Sequence, residues 1–228
     1  MAIAARKSGK GKSAPARSRP GLTPALIVVE ALSIVDESGL EALSMRMLAG
    51  RLGVEAMALY HHFPSKEALL TAISRALEEE VTARWDNPPA DWRERILLLG
   101  RNQIRTILAH PNAVLLMTAR TNPGGSGYAT FEALLKALAD AGLDSKARLS
   151  WSRTLISLIN GTGAFFVPIT VKDGTALLPP DPKLFPFTAD AIAVRRKVPA
   201  DPEGVLERGL RPMIAAIEAE VRAARPRR

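Results

Sequence analysis

The chain has 228 residues, carries no cysteine and has a formal net charge of +8. The lack of cysteine excludes disulfides, thiol catalysis and zinc–thiolate sites, and the basic balance favours polyanionic partners. No stretch approaches the roughly 18 consecutive apolar residues of a membrane span, so we expect a cytoplasmic protein without a membrane partner.

The first twenty residues form a basic segment without any acid. Its cations are Arg6, Lys7, Lys10, Lys12, Arg17 and Arg19. Most of the rest is Ala, Ser, Gly and Pro, which predicts a disordered segment and lacks the apolar run of a secretory signal. Two interpretations stay open: a solvated tail, or a basic arm that adds electrostatic affinity for DNA to the module that follows.

Local signals predict four helices in the next part of the chain. They span residues 24–38, 45–52, 56–62 and 65–84. Thr23 caps the first helix and Pro24 occupies its first turn, while Ser44 caps the second. Gly53 supplies the turn after the second helix, where a positive φ is easy for glycine. Ser65 caps the fourth helix.

Longer amphipathic helices follow the break at residues 87–89. They are predicted near residues 91–109, 111–119, 125–141, 145–167 and 203–224. Residues 171–201 are rich in Pro, Asp and Lys and predict a loop, with a short helix near 188–196 inside it. Because no strand pattern occurs, we expect an all-α fold.

Residues 40–70 contain a helix, a glycine-containing turn and a second short helix, which is the helix-turn-helix pattern. The specific residues are Met45-Arg46, Leu48-Ala49, Leu52-Gly53-Val54, Leu59-Tyr60, His62-Phe63, Lys66 and Leu69-Leu70. Together they resemble the DNA-binding domain of the tetracycline-repressor (TetR) family, over residues 22–80. Elsewhere the chain is similar to that family only in helical layout and at scattered positions, notably Trp92, His110 and the long helix that ends near Phe166.

The resemblance implies three parts: a disordered basic arm (1–20), a three-helix DNA-binding domain (21–66) and a larger helical domain (67–228). In this family the larger domain binds an effector and forms a homodimer, and the dimer binds double-stranded DNA at a palindromic operator. The implied function is a ligand-responsive transcriptional repressor that a small apolar molecule releases from its operator. The sequence does not indicate which operator, genes or effector are involved.

Three side chains of the motif are predicted to contact the DNA backbone or a base. With residues 56–62 as the recognition helix in the major groove, Arg46 can reach a guanine edge or a phosphate. Tyr60 and Lys66 are placed to reach phosphate oxygens. Alternatives stay open for each: Tyr60 as a half-buried core residue, and Arg46 and Lys66 as ordinary solvated cations.

The outward positions of the recognition helix are Ala56, Met57 and Ala58, with His61 further along. None of the first three can make a bidentate hydrogen bond to a base. Base readout there would depend on thymine methyl groups, DNA shape, Arg46 and His61.

The effector is predicted to bind without a metal or cofactor, among the helices of residues 67–167. The tetracycline-binding members of the family chelate magnesium through histidines, but this region offers no clustered oxygen or imidazole ligands, and His110 stands alone before Pro111. Soft and aromatic lining would come from Met117, Phe131, Trp151 and Phe165, with Asn160 as a polar anchor. Each of these residues alone also fits a place in the core.

Two apolar stripes predict the dimer interface. The stripes are Leu149, Ser152, Ile156, Ile159, Gly163 and Phe166 on one helix, and Leu206, Leu210, Met213, Ile217 and Val221 on the last. Pro212 should kink that last helix or mark its start. The alternative is that both stripes belong to the core of one subunit.

No motif of an enzyme is present. GxSxG, HExxH, GxGxxG and P-loop patterns are missing, and Gly161-Thr162-Gly163 lies in an apolar helical run that favours close helix packing. We therefore expect no enzymatic activity. An architectural DNA-binding protein without an effector is the other alternative, which the size of the second domain disfavours.

Overall fold

The computed structural model describes residues 21–83, 87–118, 128–167 and 180–224. Within these ranges the regular structure is helical and no strand occurs, which confirms the all-α prediction. The helices are α1 Pro24–Ser38, α2 Met45–Leu52, α3 Ala56–Tyr60, α4 Lys66–Ala83, α5 Trp92–Ala109, α6 Val114–Thr118, α7 Tyr128–Asp140, α8 Ser145–Phe166, α9 Pro186–Arg195 and α10 Pro202–Ala224. The predicted arm and residues 171–179 of the predicted loop lie outside the described residues.

The predicted caps are confirmed by their hydrogen bonds. The hydroxyl of Thr23 accepts the N–H of Leu26 at 3.2 Å, and that of Ser44 accepts the N–H of Met47 at 3.2 Å. Ser65 caps α4 in the same way, accepting the N–H of Ala68. These bonds satisfy amide groups that have no partner inside the helix, so three helix starts follow from local chemistry.

The end of one helix differs from the sequence prediction, and one predicted helix contains a proline. Helix α3 ends at Tyr60 and is shorter than expected. Helix α10 runs through Pro212, so that residue does not mark a helix start. Pro212 and Arg208 are both exposed, and water can therefore solvate the carbonyl of Arg208, which lost its amide partner.

Apolar side chains form two cores. The first joins α1–α4 through fully buried residues such as Ile27, Leu48 and Leu59. The second lies around α5, which packs against α4, α7, α8 and α10. Helix α4 contributes Leu69 to the first core, and its Val81 carbonyl accepts a hydrogen bond from Asn102 of α5 at 3.2 Å. It therefore physically joins the two cores.

The two stripes predicted to form a dimer seam lie mostly inside the subunit. Leu206, Leu210 and Ile217 are 0% exposed and pack in the second core. On α8, Ser152 and Ile159 are also buried. The seam prediction is wrong for these members, and the intramolecular alternative is confirmed, because both faces are covered by helices of the same chain. Leu149 is the exposed member of the predicted stripes, with 45% of its surface accessible.

Glycines allow the long helices of the second core to approach closely. A Cβ at Gly163 of α8 would lie 2.6 Å from Cδ1 of Ile107, and one at Gly100 of α5 would lie 2.9 Å from Cδ2 of Leu206. Gly161 is different, since nothing lies within 4 Å of its Cβ position. The close-packing prediction for this segment is confirmed at Gly163 and not at Gly161.

Gly163→Val is expected to lower the free energy of unfolding by about 1–3 kcal/mol, the usual effect of overpacking a core. Ile107 is β-branched, so its side chain has little freedom to move aside. Gly50→Val is the matched control, since Gly50 also lies inside a helix, has nothing within 4 Å of its Cβ position and is exposed. Urea unfolding of both variants measures the difference, and equal stabilities would contradict the packing argument.

Candidate nucleic-acid interface

The turn between α2 and α3 is set by Gly53. Its φ of 67° and ψ of 37° are left-handed, and its N–H donates to the carbonyls of Ala49 and Gly50. Leu48 of α2 and Leu59 of α3 are fully buried behind the turn. These contacts hold α3 against the first core and turn the opposite side of α3 outward.

The outward side presents polar groups without partners in the protein. Arg46 and His61 are exposed, Lys66 is half-buried, and Tyr60 is 42% exposed. Within the described part of the chain, none of the four side chains has a hydrogen bond or ion pair. The alternative that Tyr60 belongs to the core is therefore wrong. These four side chains are free to bind another molecule.

The rest of the outward side is apolar, as the sequence indicates. Met57 is 68% exposed, and Ala56 and Ala58 are half-buried beside it. A surface of this kind can contact thymine methyl groups but offers no side-chain hydrogen bond to a base.

Arg51, which sequence reasoning did not single out, is bound within the protein. Its guanidinium forms ion pairs with Glu30 and Glu37 of α1, each at 2.5 Å. Hydrogen bonds from Arg51 and Ser33 lower the pKa of Glu37 to about 2. Arg51 therefore fastens α2 to α1. No local sequence signal identifies this role, because both partners lie on another helix.

Residues 21–66 carry more acidic than basic side chains. The acids are Glu30, Asp36, Glu37, Glu41 and Glu55, and the bases are Arg46, Arg51 and Lys66, which gives a formal charge of −2. Because Arg51 is paired, Arg46 and Lys66 are the two cations of this fully described range that are free of an ion pair. The basic residues of the arm precede this domain directly in the sequence.

The five predicted effector-binding residues lie in different places. Met117 of α6 packs against the first core, and Phe131 of α7 is half-buried. The Asn160 side-chain oxygen accepts a hydrogen bond from Gln103 at 3.4 Å. The Trp151 indole N–H donates to Glu220 of α10 at 2.8 Å, and Phe165 is 81% exposed. The last two residues thus lie on the side of α8 that faces α10 or solvent.

Sequence reasoning missed a polar residue inside the helical body. Asn102 of α5 is 1% exposed; its amide donates to Val81, and its side-chain oxygen is buried without a partner. The available signal was its spacing from the buried Leu99 and Thr106, which places a polar residue on an inward face. Asn102 therefore leaves one buried hydrogen-bond acceptor without a partner inside the helical body.

Within the described ranges, no group of three or more His, Asp or Glu side chains has an arrangement that could hold a metal ion. No described helix is both long and apolar enough to cross a membrane.

A helix-turn-helix with unpaired polar side chains on its outward face, joined to a larger helical body, defines a DNA-binding regulator of the helix-turn-helix class. Two family models match: "Bacterial regulatory proteins, tetR family" over residues 27–73, and "Tetracyclin repressor-like, C-terminal domain" over residues 86–162. The chain belongs to the tetR family. The family consists of transcriptional regulators, which confirms the expectation that the protein is not an enzyme.

Named relatives agree with this assignment. The tetracycline repressor protein class A from transposon 1721 of Escherichia coli is 35% identical over 125 residues, which cover 54% of this chain and 57% of the relative. The match thus spans a little more than half of that protein. ActR of Streptomyces coelicolor in complex with (S)-DNPA has a TM-score of 0.65 and 26% identity, covering 89% of this chain and 100% of ActR. BioQ with its natural double-stranded DNA operator has a TM-score of 0.59 and 25% identity, covering 87% and 99%.

Proposed function

We propose that this protein is a transcriptional repressor that binds a palindromic operator as a homodimer and leaves it when a small apolar molecule binds. The observation that carries the proposal is the set of unpartnered side chains Arg46, Tyr60 and Lys66 around a well-packed α2–α3 turn. The repressor name of the Escherichia coli relative and the operator in the BioQ structure support it. Operator DNA in a bacterial cell would place the protein in the cytoplasm.

In this proposal residues 21–66 contact DNA and residues 67–228 bind the effector and dimerise. Arg46, Tyr60 and Lys66 bind phosphates or a guanine, and Ala56, Met57, Ala58 and His61 face the major groove. Half or more of protein–DNA hydrogen bonds go to the backbone, so such a surface binds DNA even with few base contacts. Specificity would then come from Arg46, His61 and DNA shape.

The effector site is proposed for the helical body, without a metal or cofactor. Met117, Phe131 and Asn160 remain candidates there, and Asn102 adds an unpaired buried acceptor. Trp151 and Phe165 are weaker candidates, because the Trp151 indole donates to Glu220 of α10 and Phe165 is exposed. The small molecule in the ActR structure supports an organic effector. Binding would favour a conformer in which the two α3 helices of the dimer no longer match successive major grooves.

The dimer interface is proposed at the exposed part of α8 and α10, around an apolar groove. Phe165 and Val205 are exposed there, at 81% and 39%, and the lining also includes Leu158, Phe166 and the smaller residues Ser157, Gly161 and Thr162. Apolar side chains of this size on a surface indicate contact with another molecule, and a two-fold arrangement would bury the groove of both subunits.

Phe165→Glu is expected to convert the dimer to monomers at micromolar concentration, because two carboxylates would face each other across the two-fold axis. Leu115→Glu is the control: Leu115 is also exposed, at 66%, but lies on α6. Analytical ultracentrifugation measures both. A charge at Ile217 is unsuitable, since that residue is buried and the variant would lose its fold. A monomeric parent protein would contradict the homodimer.

The proposed function is tested by binding to DNA from the protein's own promoter region, with and without a panel of hydrophobic small molecules. A compound that releases the DNA and raises the melting temperature in the presence of EDTA supports the proposal. Failure to bind that DNA would refute it. A requirement for magnesium would refute the metal-free effector, and tight binding that no compound alters would favour the architectural alternative.

A further inference from the structure

The side chain of His110 joins three helices from both cores. It lies at the end of α5, and its Nδ1 is 2.8 Å from Oδ2 of Asp36 on α1. Its Nε2 is 3.0 Å from Oε2 of Glu80 on α4. The imidazole is 17% exposed. Next to it, the Asn112 amide donates to the backbone carbonyl of Asp36 at 2.8 Å, which adds a second link to α1.

Both contacts of the ring are hydrogen bonds only when both nitrogens carry a proton. A carboxylate accepts hydrogen bonds and cannot donate one, and a neutral imidazole has one N–H. After loss of a proton, one ring nitrogen would direct a lone pair at a carboxylate oxygen. In either tautomer the repulsion between that lone pair and the carboxylate would displace the ring from its position between the two acids. Asp36 would then lose its partner, because its other carboxylate oxygen is buried without one.

The charged groups around the ring come from each helix that packs against it. Helix α1 supplies Asp36, whose neighbour Glu37 is paired with Arg51. Helix α4 supplies Glu80, which also lies 3.5 Å from the hydroxyl of Thr106 on α5. Among the cations of α5, Arg105 points to Glu203 of α10 at 2.7 Å. Two carboxylates thus face one imidazole.

We propose that His110 is a positioning residue that sets the DNA-binding domain on the helical body, and that the proton on its ring controls this link. A movement of α1 would also move the helix-turn-helix, because Arg51 joins α2 to α1. Loss of the contact between His110 and Asp36 therefore changes the orientations that α3 can adopt relative to the helical body. The inference deepens the proposed function and rests on it where operator affinity is the measurement.

The first test measures the link without DNA. The chain has three histidines, so the full-length variant with His61→Gln and His62→Gln leaves His110 as the single imidazole. Nitrogen NMR of the ring, recorded between about pH 5.5 and 9, reports which nitrogens are protonated. Amide hydrogen exchange in α1 is followed in the same samples, with α8 as the internal reference.

Exchange in α1 is expected to accelerate when the ring loses a proton, while α8 does not change. Asp36→Asn in this background is the diagnostic variant, because an amide can accept from a protonated ring and donate to a neutral one. It should keep α1 protected over the whole range. Any one of three results would overturn the proposal. The ring keeps both protons to about pH 9, amide exchange in α1 does not change when the ring loses a proton, or the Asp36→Asn variant shows the parent's pH dependence.

The second test uses the promoter-region DNA at constant ionic strength. Between about pH 6 and 8.5 the affinity of the double-glutamine protein is expected to change about fivefold or more, the lower end of typical coupling between sites. Asp36→Asn should remove that change. Equal pH dependence in both proteins would overturn the inference. Absence of DNA binding by the parent protein at every pH would instead refute the proposed function. Loss of binding in the double-glutamine protein alone would assign His61 or His62 to the interface, and in either case hydrogen exchange would still decide the role of His110.

Discussion

Replacing Arg46, Tyr60 and Lys66 together with alanine is expected to weaken operator binding by about a hundredfold or more. Each contact with a phosphate or base contributes about 1 kcal/mol or more, and about 1.4 kcal/mol corresponds to a tenfold change in affinity. The variant should stay folded, because none of the three side chains has a partner in the protein. Fluorescence anisotropy with labelled operator DNA measures affinity, and circular dichroism checks the fold.

Single variants separate the roles of these residues. Lys66→Ala should weaken binding to all DNA sequences alike and lower the salt slope by about one unit, as for one lost phosphate contact. Arg75→Ala is the matched control, since Arg75 is exposed on α4 outside the motif. If the folded triple variant binds as tightly as the parent, α2 and α3 do not form the DNA interface.

Deletion of residues 1–20 is expected to have a comparably large effect at low salt. The arm carries six cations and no acid, whereas residues 21–66 have a formal charge of −2 with Arg51 already paired. Counterion release contributes a salt slope of about 0.9 per neutralised phosphate, so the deletion should lower the slope by up to about five units. The affinity loss should be about a hundredfold or more at low salt and should vanish at high salt.

A full-length variant with the six arm cations replaced by glutamine separates charge from chain length. It should behave as the deletion does if the arm acts electrostatically. A titration of operator binding against salt concentration measures both variants beside the parent. Should both keep the parent's slope, the arm is a solvated tail and the motif binds DNA without it.

The DNA-binding half of this protein could be predicted almost entirely from sequence. Thr23, Ser44 and Ser65 cap helices through bonds to residues three positions away, and Gly53 shapes the turn by its own backbone freedom. Such signals need no information from elsewhere in the chain. The outward position of Tyr60 followed from the helical periodicity of α3, which placed Leu59 inward.

The helical body was less predictable because an apolar stripe does not reveal what covers it. Ile217 fits a dimer seam and a subunit core equally well in the sequence, and the structure buries it in the core. The sequence also left the role of Trp151 undetermined. Its contact became clear only from the position of Glu220 on α10. Any apolar or aromatic side chain can serve in a core, an interface or a pocket.

The sequence by itself determined the helical fold, the helix starts and the helix-turn-helix, since these depend on contacts within a few positions along the chain. Only the tertiary structure decided which charges are paired and which stripes are buried. Arg51 meets Glu37 from 14 positions away, and His110 meets Asp36 from 74. The partner of such a residue depends on how whole helices pack, and that packing is a property of all their side chains together.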